Sequence, residues 1–339
     1  MRWDQIAGQD RAVKALRSAL LRDQVHHAYL LAGPAGVGKE LLARTFAQAA
    51  NCEAEDPAAR PCERCESCLG FARGNFPDVM AVMPQAELVS RGLLARADLE
   101  GVPSKEIRVD EVRALARRLS LMALRGRRKI AIVTPADALN ERAQNTLLKT
   151  LEEPPPATTF LLLSEHPDSL LPTIRSRCAR VQLAPVPEEA LVARLLREGI
   201  AEAEARERAA RAQGSFSRAL AEQGEWRELL LAVEAALAAA DERDALDLAE
   251  ANGEREAALE VARAVHAWTR DVLIAQAGGA PQLRDLSDQA REVAERVPPL
   301  ALLGQAELCA TAMEALEQNG NGRLQLERLL LGARELRRG

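Results

Sequence analysis

Aromatic residues are scarce: they make up 3% of 339 positions, with one tyrosine, three tryptophans and five phenylalanines. Ala, Leu, Arg and Glu abound instead, which points to cores packed from small and aliphatic side chains on amphipathic helices. No run of 18 apolar residues occurs, so the sequence holds no candidate membrane-spanning helix and no membrane partner is expected. The opening Met1-Arg2-Trp3-Asp4-Gln5-Ile6 lacks the charged-then-apolar layout of an export signal, which makes a cytoplasmic location the expectation. The net charge of −5 excludes a global basic field for nucleic acid, although local basic clusters remain. Histidine is rare, and His26, His27 and His266 show no ligand partners at metal spacing.

What is present begins with a change of period along the chain. Short apolar runs at 27–32, 77–82, 129–134, 159–164 and 179–183 alternate with helical patterns at 109–124, 139–153 and 168–174. Strands separated by helices of that length predict an α/β domain whose parallel sheet is covered on both faces. Beyond Pro185-Val186-Pro187 nearly every segment reads as helix. Patterns at 188–198, 201–213 and 216–223 form a small three-helix unit, and longer amphipathic stretches from about 225 to 338 form a separate bundle. The expected domains are therefore 1–184, 185–223 and 224–339.

Residues Gly33-Pro34-Ala35-Gly36-Val37-Gly38-Lys39-Glu40 spell a phosphate-binding loop in all but the last letter. In that motif the glycines let backbone N–H groups wrap phosphates, the lysine reaches the β/γ-phosphates, and a terminal Ser or Thr hydroxyl ligates Mg²⁺. An apolar run before it and a helix after it supply the strand–loop–helix setting the motif requires. Here Glu40 stands in the hydroxyl's place. Gly33, Gly36, Gly38 and Lys39 can still hold ATP or ADP, or the loop can be an empty scaffold turn. The second half of a hydrolytic site belongs at the end of a later strand, where acids hold Mg²⁺ and polarise water. After 130–133 the chain instead reads Thr134-Pro135-Ala136-Asp137, and the displaced Asp137 suits a cap of the next helix. Both metal-holding positions are altered, so hydrolysis of ATP by this chain alone is not expected.

Cys52, Cys62, Cys65 and Cys68 give C-x9-C-x2-C-x2-C, a spacing at which four thiolates converge on a tetrahedral Zn²⁺. A pair of disulfides is the competing arrangement, disfavoured where no export signal is seen. Pro61, Glu63, Arg64, Glu66 and Ser67 mark an exposed loop, and four protein ligands leave no open position, so the metal's role is expected to be structural. Arg113, Arg117, Arg118, Arg125, Arg127, Arg128 and Lys129 form the densest basic stretch; it fits either phosphate contacts or a solvated helix face, with no aromatics interleaved for base stacking.

Several segments together resemble one family: Asp4-Gln5-Ile6-Ala7-Gly8-Gln9, His27-Ala28-Tyr29-Leu30-Leu31 running into the phosphate loop, the four-cysteine insertion, Asn145-Thr146-Leu147-Leu148-Lys149-Thr150-Leu151-Glu152-Glu153-Pro154-Pro155, and Ile174-Arg175-Ser176-Arg177-Cys178. These are similar to the AAA+ subunits of the bacterial sliding-clamp loader of DNA polymerase III, over nearly the whole chain. The resemblance implies an AAA+ module at 1–184 with a zinc module at 52–68, a helical lid at 185–223, and an all-helical collar at 224–339. It implies a hetero-pentameric ring shared with tau/gamma and delta subunits, acting on primed DNA within the polymerase III holoenzyme. Within the family the altered loop and missing acids resemble a stationary subunit, whereas the motor subunits keep the hydroxyl and the acidic pair. The family's Ser-Arg-Cys motif presents an arginine finger to a neighbour's ATP, which maps onto Arg177 flanked by Ser176 and Cys178. Locally, Arg177 equally fits a helix cap or a surface ion pair. Gly214-Ser215-Phe216-Ser217-Arg218 resembles the second sensor segment with its arginine one place late, and Ser164-Glu165-His166 stands where the first sensor would be, with an acid that would repel phosphate. Two rival functions remain open: an ATP-hydrolysing motor subunit, borrowing Asp137 or Glu165, and a free-standing zinc-containing DNA-binding protein.

Overall fold

A computed structural model describes all residues except 75, 100, 221, 222, 282, 284, 285, 318, 319 and 339. The expected end of the lid near 223 therefore falls beside positions outside the described residues.

All five apolar runs are strands: β1 (Ala28–Ala32), β2 (Val79–Val82), β3 (Lys129–Val133), β4 (Thr158–Ser164) and β5 (Ala179–Gln182). They pair in parallel in the order β2-β3-β4-β1-β5. Every residue of β1, β3 and β4 is buried, which is why these strands read as continuous apolar runs without alternation. The helices of this part are α1 (Asp10–Leu21), α2 (Lys39–Ala50), α3 (Glu66–Ala72), α4 (Gln85–Ser90), α5 (Val109–Leu119), α6 (Glu141–Glu152) and α7 (Pro172–Arg175). On one sheet face Ala28, Leu30, Ala131, Val133, Phe160 and Leu162 meet Val112, Leu115 and Leu119 of α5 and Leu147 and Leu151 of α6. Tyr29, one residue out of phase, faces the other way and packs edge-on against Phe46 of α2. The alternation places the sheet between two helical layers, as the expected fold requires.

Three local expectations are corrected. The helix expected over 109–124 ends at Leu119. Leu121, Met122 and Leu124 keep the apolar rhythm but stand exposed on a loop. That loop is held by the buried Asp78 carboxylate, which accepts the N–H groups of Leu124, Arg125 and Gly126 at 2.6–2.7 Å. The expected helix over 168–174 shrinks to Pro172–Arg175, since Pro172 has no N–H to donate and so suits a first turn. Asp137 does not cap α6. Asn140 does, accepting from the Ala143 N–H at 3.0 Å.

After Gln182 the described elements are all helical: α8 (Glu188–Arg197), α9 (Glu202–Arg211), α10 (Phe216–Leu220), α11 (Gln223–Ala238), α12 (Arg243–Ala251), α13 (Arg255–Gln276), α14 (Ser287–Arg296), α15 (Pro299–Glu317) and α16 (Gly322–Arg338). The chain forms two compact units. One contains Met1–Arg194 with Gln213–Ser217, the other Leu195–Ala212 with Arg218–Gly339. In the second, α13 is the central helix: Val261, Val265 and Trp268 are buried with Leu302 of α15 and Leu326, Leu329 and Leu330 of α16. A polar network threads this core. Glu234 accepts from the Trp268 indole at 2.6 Å, and both its carboxylate oxygens accept from Arg337 Nη1 at 3.0 Å. No described helix is long and apolar enough to cross a membrane.

Candidate phosphate loop, arginine motif and cysteine cluster

β1 delivers the loop at the C-terminal edge of the sheet, and α2 starts at its lysine. Gly36 and Gly38 take φ values of +71° and +97°, a region closed to most side chains, and a Cβ on Gly36 would meet the Ser215 Oγ at 2.1 Å. The Phe216 N–H donates to the Gly36 carbonyl at 2.8 Å. Buried Gln9 ties the amino-terminal segment in, donating to the Ala184 carbonyl at 2.7 Å and to that of Val37 at 3.4 Å.

The loop has a phosphate-binding shape, yet its two charged residues are engaged within the chain. The Lys39 ammonium donates to the carbonyls of Gly33 and Pro34, each at 2.7 Å, and lies 3.4 Å from Glu165 Oε1. Burial pushes the lysine pKa down, against the upward pull of Glu165 and Asp137. The Glu40 carboxylate takes two 2.9 Å hydrogen bonds from Arg91 Nη1 and a third from Arg44. Arg91 in turn pairs with Glu87 at 2.7 Å, completing a chain of two acids and two bases. A carboxylate neutralised in this way is directed to α4 rather than to a metal. Arg91 is 51 residues from Glu40, and nothing local in the sequence announces it.

At the end of β3, Thr134 and Pro135 offer no acid. Asp137 turns to β4, where it accepts from the Ser164 hydroxyl and from the Glu165 N–H at 2.7 Å. It also accepts from the His166 N–H at 3.3 Å. It fixes the strand end that carries Glu165.

Arg177 follows α7, and its guanidinium realises both local roles open to it. It donates to the Thr173 carbonyl at 3.0 Å and pairs with Glu152 of α6 at 2.8 Å, with 36% of its side chain still exposed. Ser176 caps the same turn by bonding the Thr173 carbonyl at 3.0 Å. Burial pushes the Cys178 thiol up to about 12, which makes it a packing residue rather than a nucleophile. Arg218, in the other compact unit, donates to the Ala212 carbonyl at 3.0 Å.

The four cysteines converge. Their sulfurs all lie within 4.8 Å of one another, with Cys52 and Cys65 at 3.9 Å. Zn–S bonds of about 2.3 Å in a tetrahedron place sulfurs about 3.8 Å apart, so the cluster needs little adjustment to hold a zinc ion. Backbone N–H groups point at the sulfurs, from Cys62 to Cys52 at 3.3 Å, from Cys65 to Cys62 and from Cys68 to Cys65 at 3.4 Å each. Burial raises the thiols of Cys52 and Cys68, whereas for Cys62 it is outweighed by N–H donors from Arg64 and Cys65, which bring it down to about 6. Four thiols this close cannot all ionise unaided, and a bound dication removes that conflict. The insertion is only partly the exposed loop expected: Cys52, Ser67 and Cys68 are buried. The basic stretch is also corrected at one end. Lys129 is buried and donates to the carbonyls of Leu119 and Leu121, so it is unavailable to phosphates.

A parallel sheet of this order, with a phosphate loop between β1 and α2 and a helical region beyond, defines an AAA+-type P-loop module. The sequence profile of the family described as DNA polymerase III, delta subunit matches residues 8–187, more than half the chain, and the chain belongs to that family. The DNA polymerase III subunit delta' of Pseudomonas aeruginosa is 40% identical over 185 residues, covering 55% of this chain and 47% of that protein. Subunit delta' of Bacillus subtilis is 32% identical over 192 residues, covering 57% and 52%, and subunit tau of Escherichia coli is 34% identical over 270 residues, covering 75% and 39%. The chain thus spans about half the length of the delta' relatives it matches. A solved gamma subunit-related protein of Thermotoga maritima covers 97% of this chain and 99% of its own at 18% identity, with a TM-score of 0.43.

Proposed function

We propose that this chain is a delta-prime-like, ATPase-deficient subunit of the DNA polymerase III clamp loader, a stationary partner that supplies Arg177 in trans to the ATP of a neighbouring motor subunit. The observation that carries the reading is the state of Glu40: where Mg²⁺ needs a hydroxyl, a carboxylate is drawn off by Arg44 and Arg91. The absence of acids at 134 and 135 supports it from the opposite side of the site. A motor needs both features, so the motor alternative loses twice. Arg177 remains partly exposed at the end of a helix, and a guanidinium there offers a fixed charge and planar fork to developing γ-phosphate charge. On this reading 1–184 is the AAA+ module, 185–223 the lid and 224–339 the collar, within a hetero-pentamer with tau/gamma and delta subunits around primed DNA. One Zn²⁺ held by Cys52, Cys62, Cys65 and Cys68 staples an insertion too short to own a core.

The test is reconstitution. The chain alone, supplied with Mg²⁺ and ATP, is expected to show no steady-state hydrolysis. Added to tau/gamma and delta subunits with clamp and primed DNA, it is expected to restore clamp loading. Turnover by the lone chain, or a loader indifferent to its presence, would overturn the proposal.

A further inference from the structure

Residues 53–66 bury no side chain and, ahead of α3, form one short turn at Pro57–Ala59. The polar ties of this stretch run from the Ser67 hydroxyl to Glu53 at 2.6 Å and from the Arg60 guanidinium to the Ala54 carbonyl at 2.7 Å. Glu53 is exposed and Arg60 half-buried, so water competes for both. Yet this coreless stretch anchors the segment that leads into α1. The Trp3 indole N–H donates to the Arg60 carbonyl at 2.8 Å, and Arg17 of α1 donates to that of Ala58 at 3.0 Å. Between these contacts the chain lies against the exit from β5. Ile6 is buried, a Cβ on Gly8 would meet Pro187 Cδ at 2.6 Å, and buried Gln9 exchanges two hydrogen bonds with Ala184, at 2.7 and 3.2 Å.

We propose that the four-cysteine insertion is a metal-dependent anchor for residues 2–6, the outer end of a strap that runs to Gln9. With its thiolates gathered on Zn²⁺, the insertion holds the Arg60 and Ala58 carbonyls where Trp3 and Arg17 reach them. Without the metal a stretch that owns no core has nothing to fix those carbonyls, and the outer strap is released. The strap's own structure does not replace the anchor. Its 3-10 turn at Trp3–Gln5 rests on two backbone bonds, from the Gln5 N–H to the Arg2 carbonyl at 3.1 Å and from the Ile6 N–H to that of Trp3 at 3.3 Å. A helical turn that short is not stable by itself. The inner end keeps the contacts of Gly8 and Gln9, so the release is a local opening that leaves the sheet folded. This inference rests on the reading of the cluster as a Zn²⁺ site and adds what that site holds beyond its own loop.

The test is amide hydrogen–deuterium exchange of the full chain in three states: zinc-replete, stripped with EDTA, and reloaded with Zn²⁺, with metal content measured in each. Stripping is expected to speed exchange over 2–6 by about tenfold or more, the scale of losing one charged or two neutral hydrogen bonds. Reloading should reverse it, and β3 and β4 should stay protected throughout. The double variant Trp3→Phe/Arg17→Gln keeps all four thiols. It is expected to hold one zinc per chain yet exchange over 2–6 as fast as the stripped wild type, with no response to EDTA. Trp3→Phe alone gives the same readout with a smaller perturbation. Exchange over 2–6 that ignores stripping, a double variant that still responds to it, or an equal loss of protection in β3 and β4 would each overturn the proposal. A chain that takes up no zinc would overturn it together with the Zn²⁺ reading, whereas a zinc-binding chain with an indifferent strap would overturn it alone.

Discussion

Arg177→Ala separates a catalytic arginine from a structural one, because the two roles differ in scale. In the lone chain the substitution removes a half-exposed ion pair with Glu152 at 2.8 Å and one hydrogen bond to the Thr173 carbonyl at 3.0 Å. A pair that exposed contributes up to about 1 kcal/mol, and a neutral carbonyl bond about 1 kcal/mol. The expected loss is therefore about 1–2 kcal/mol, which for a unit of this size lowers Tm by about 2–8 °C. Withdrawing a finger supplied in trans costs about 10³–10⁵ in turnover, or about 4–7 kcal/mol of transition-state stabilisation at 1.36 kcal/mol per decade. In the reconstituted loader the variant should fold, join the ring, and depress ATP turnover at the adjoining motor site and clamp loading far beyond any loss in assembly. Arg177→Lys should not rescue it, since an ammonium lacks the fork. Glu152→Ala is the control: it breaks the same pair but keeps the guanidinium, so turnover should stay within a few-fold. Unchanged loading by Arg177→Ala, or an equal loss from Glu152→Ala, would refute the assignment.

Replacing Cys65 by Ser should lower bound zinc below one per chain and render 52–68 protease-sensitive while far-ultraviolet dichroism stays native; full zinc stoichiometry in a variant lacking two of the four thiols would count decisively against the cluster. Lys39→Ala should leave clamp loading by the reconstituted complex nearly unchanged, because the loop it serves drives nothing; a severe loading defect would mean that a motor has been mistaken for its partner. In the helical unit, Glu234→Ala strips Arg337, whose side chain is only 7% exposed, of its carboxylate partner, leaves it the 3.0 Å bond to Gln305, and orphans the Trp268 indole. Urea unfolding should show a loss of about 3–5 kcal/mol, and a change below about 1 kcal/mol would show that the network is better hydrated than its burial implies.

What the sequence made legible was local. The five strands stood out because a sheet covered on both faces leaves short unbroken apolar runs, and the loop glycines because their backbone geometry is written within eight letters. The cysteines were legible for the same reason, all four falling between 52 and 68. What stayed hidden was set by the topology. Arg91 reaches Glu40 across 51 positions, and Asp137 meets Glu165 across 28, because β3 and β4 are neighbours in space. Leu121, Met122 and Leu124 prolong the helical rhythm of α5, yet they stand on a loop that Asp78 holds through the N–H groups of Leu124, Arg125 and Gly126, 46 to 48 residues away. Lys129 reads as part of a basic surface, but it opens an inner strand and its ammonium is spent on the carbonyls of Leu119 and Leu121.

Charged side chains are the common factor in these misreadings. An apolar residue's place follows from periodicity, whereas a charge takes whichever partner the fold brings near, and the same letter serves as solvated surface, buried clamp or catalytic group. Arg177 illustrates the point with both members of its pair in motifs already visible: Glu152 lies in Leu151-Glu152-Glu153-Pro154 and Arg177 in Ser176-Arg177-Cys178. Each was legible alone; their contact depended on α6 and α7 packing together. A guanidinium held by one half-exposed carboxylate gives up little when it changes partner, so the ion pair of the isolated chain and a phosphate contact across a subunit boundary are compatible states of one side chain. That exchange is what the unequal effects expected of Arg177→Ala and Glu152→Ala would measure.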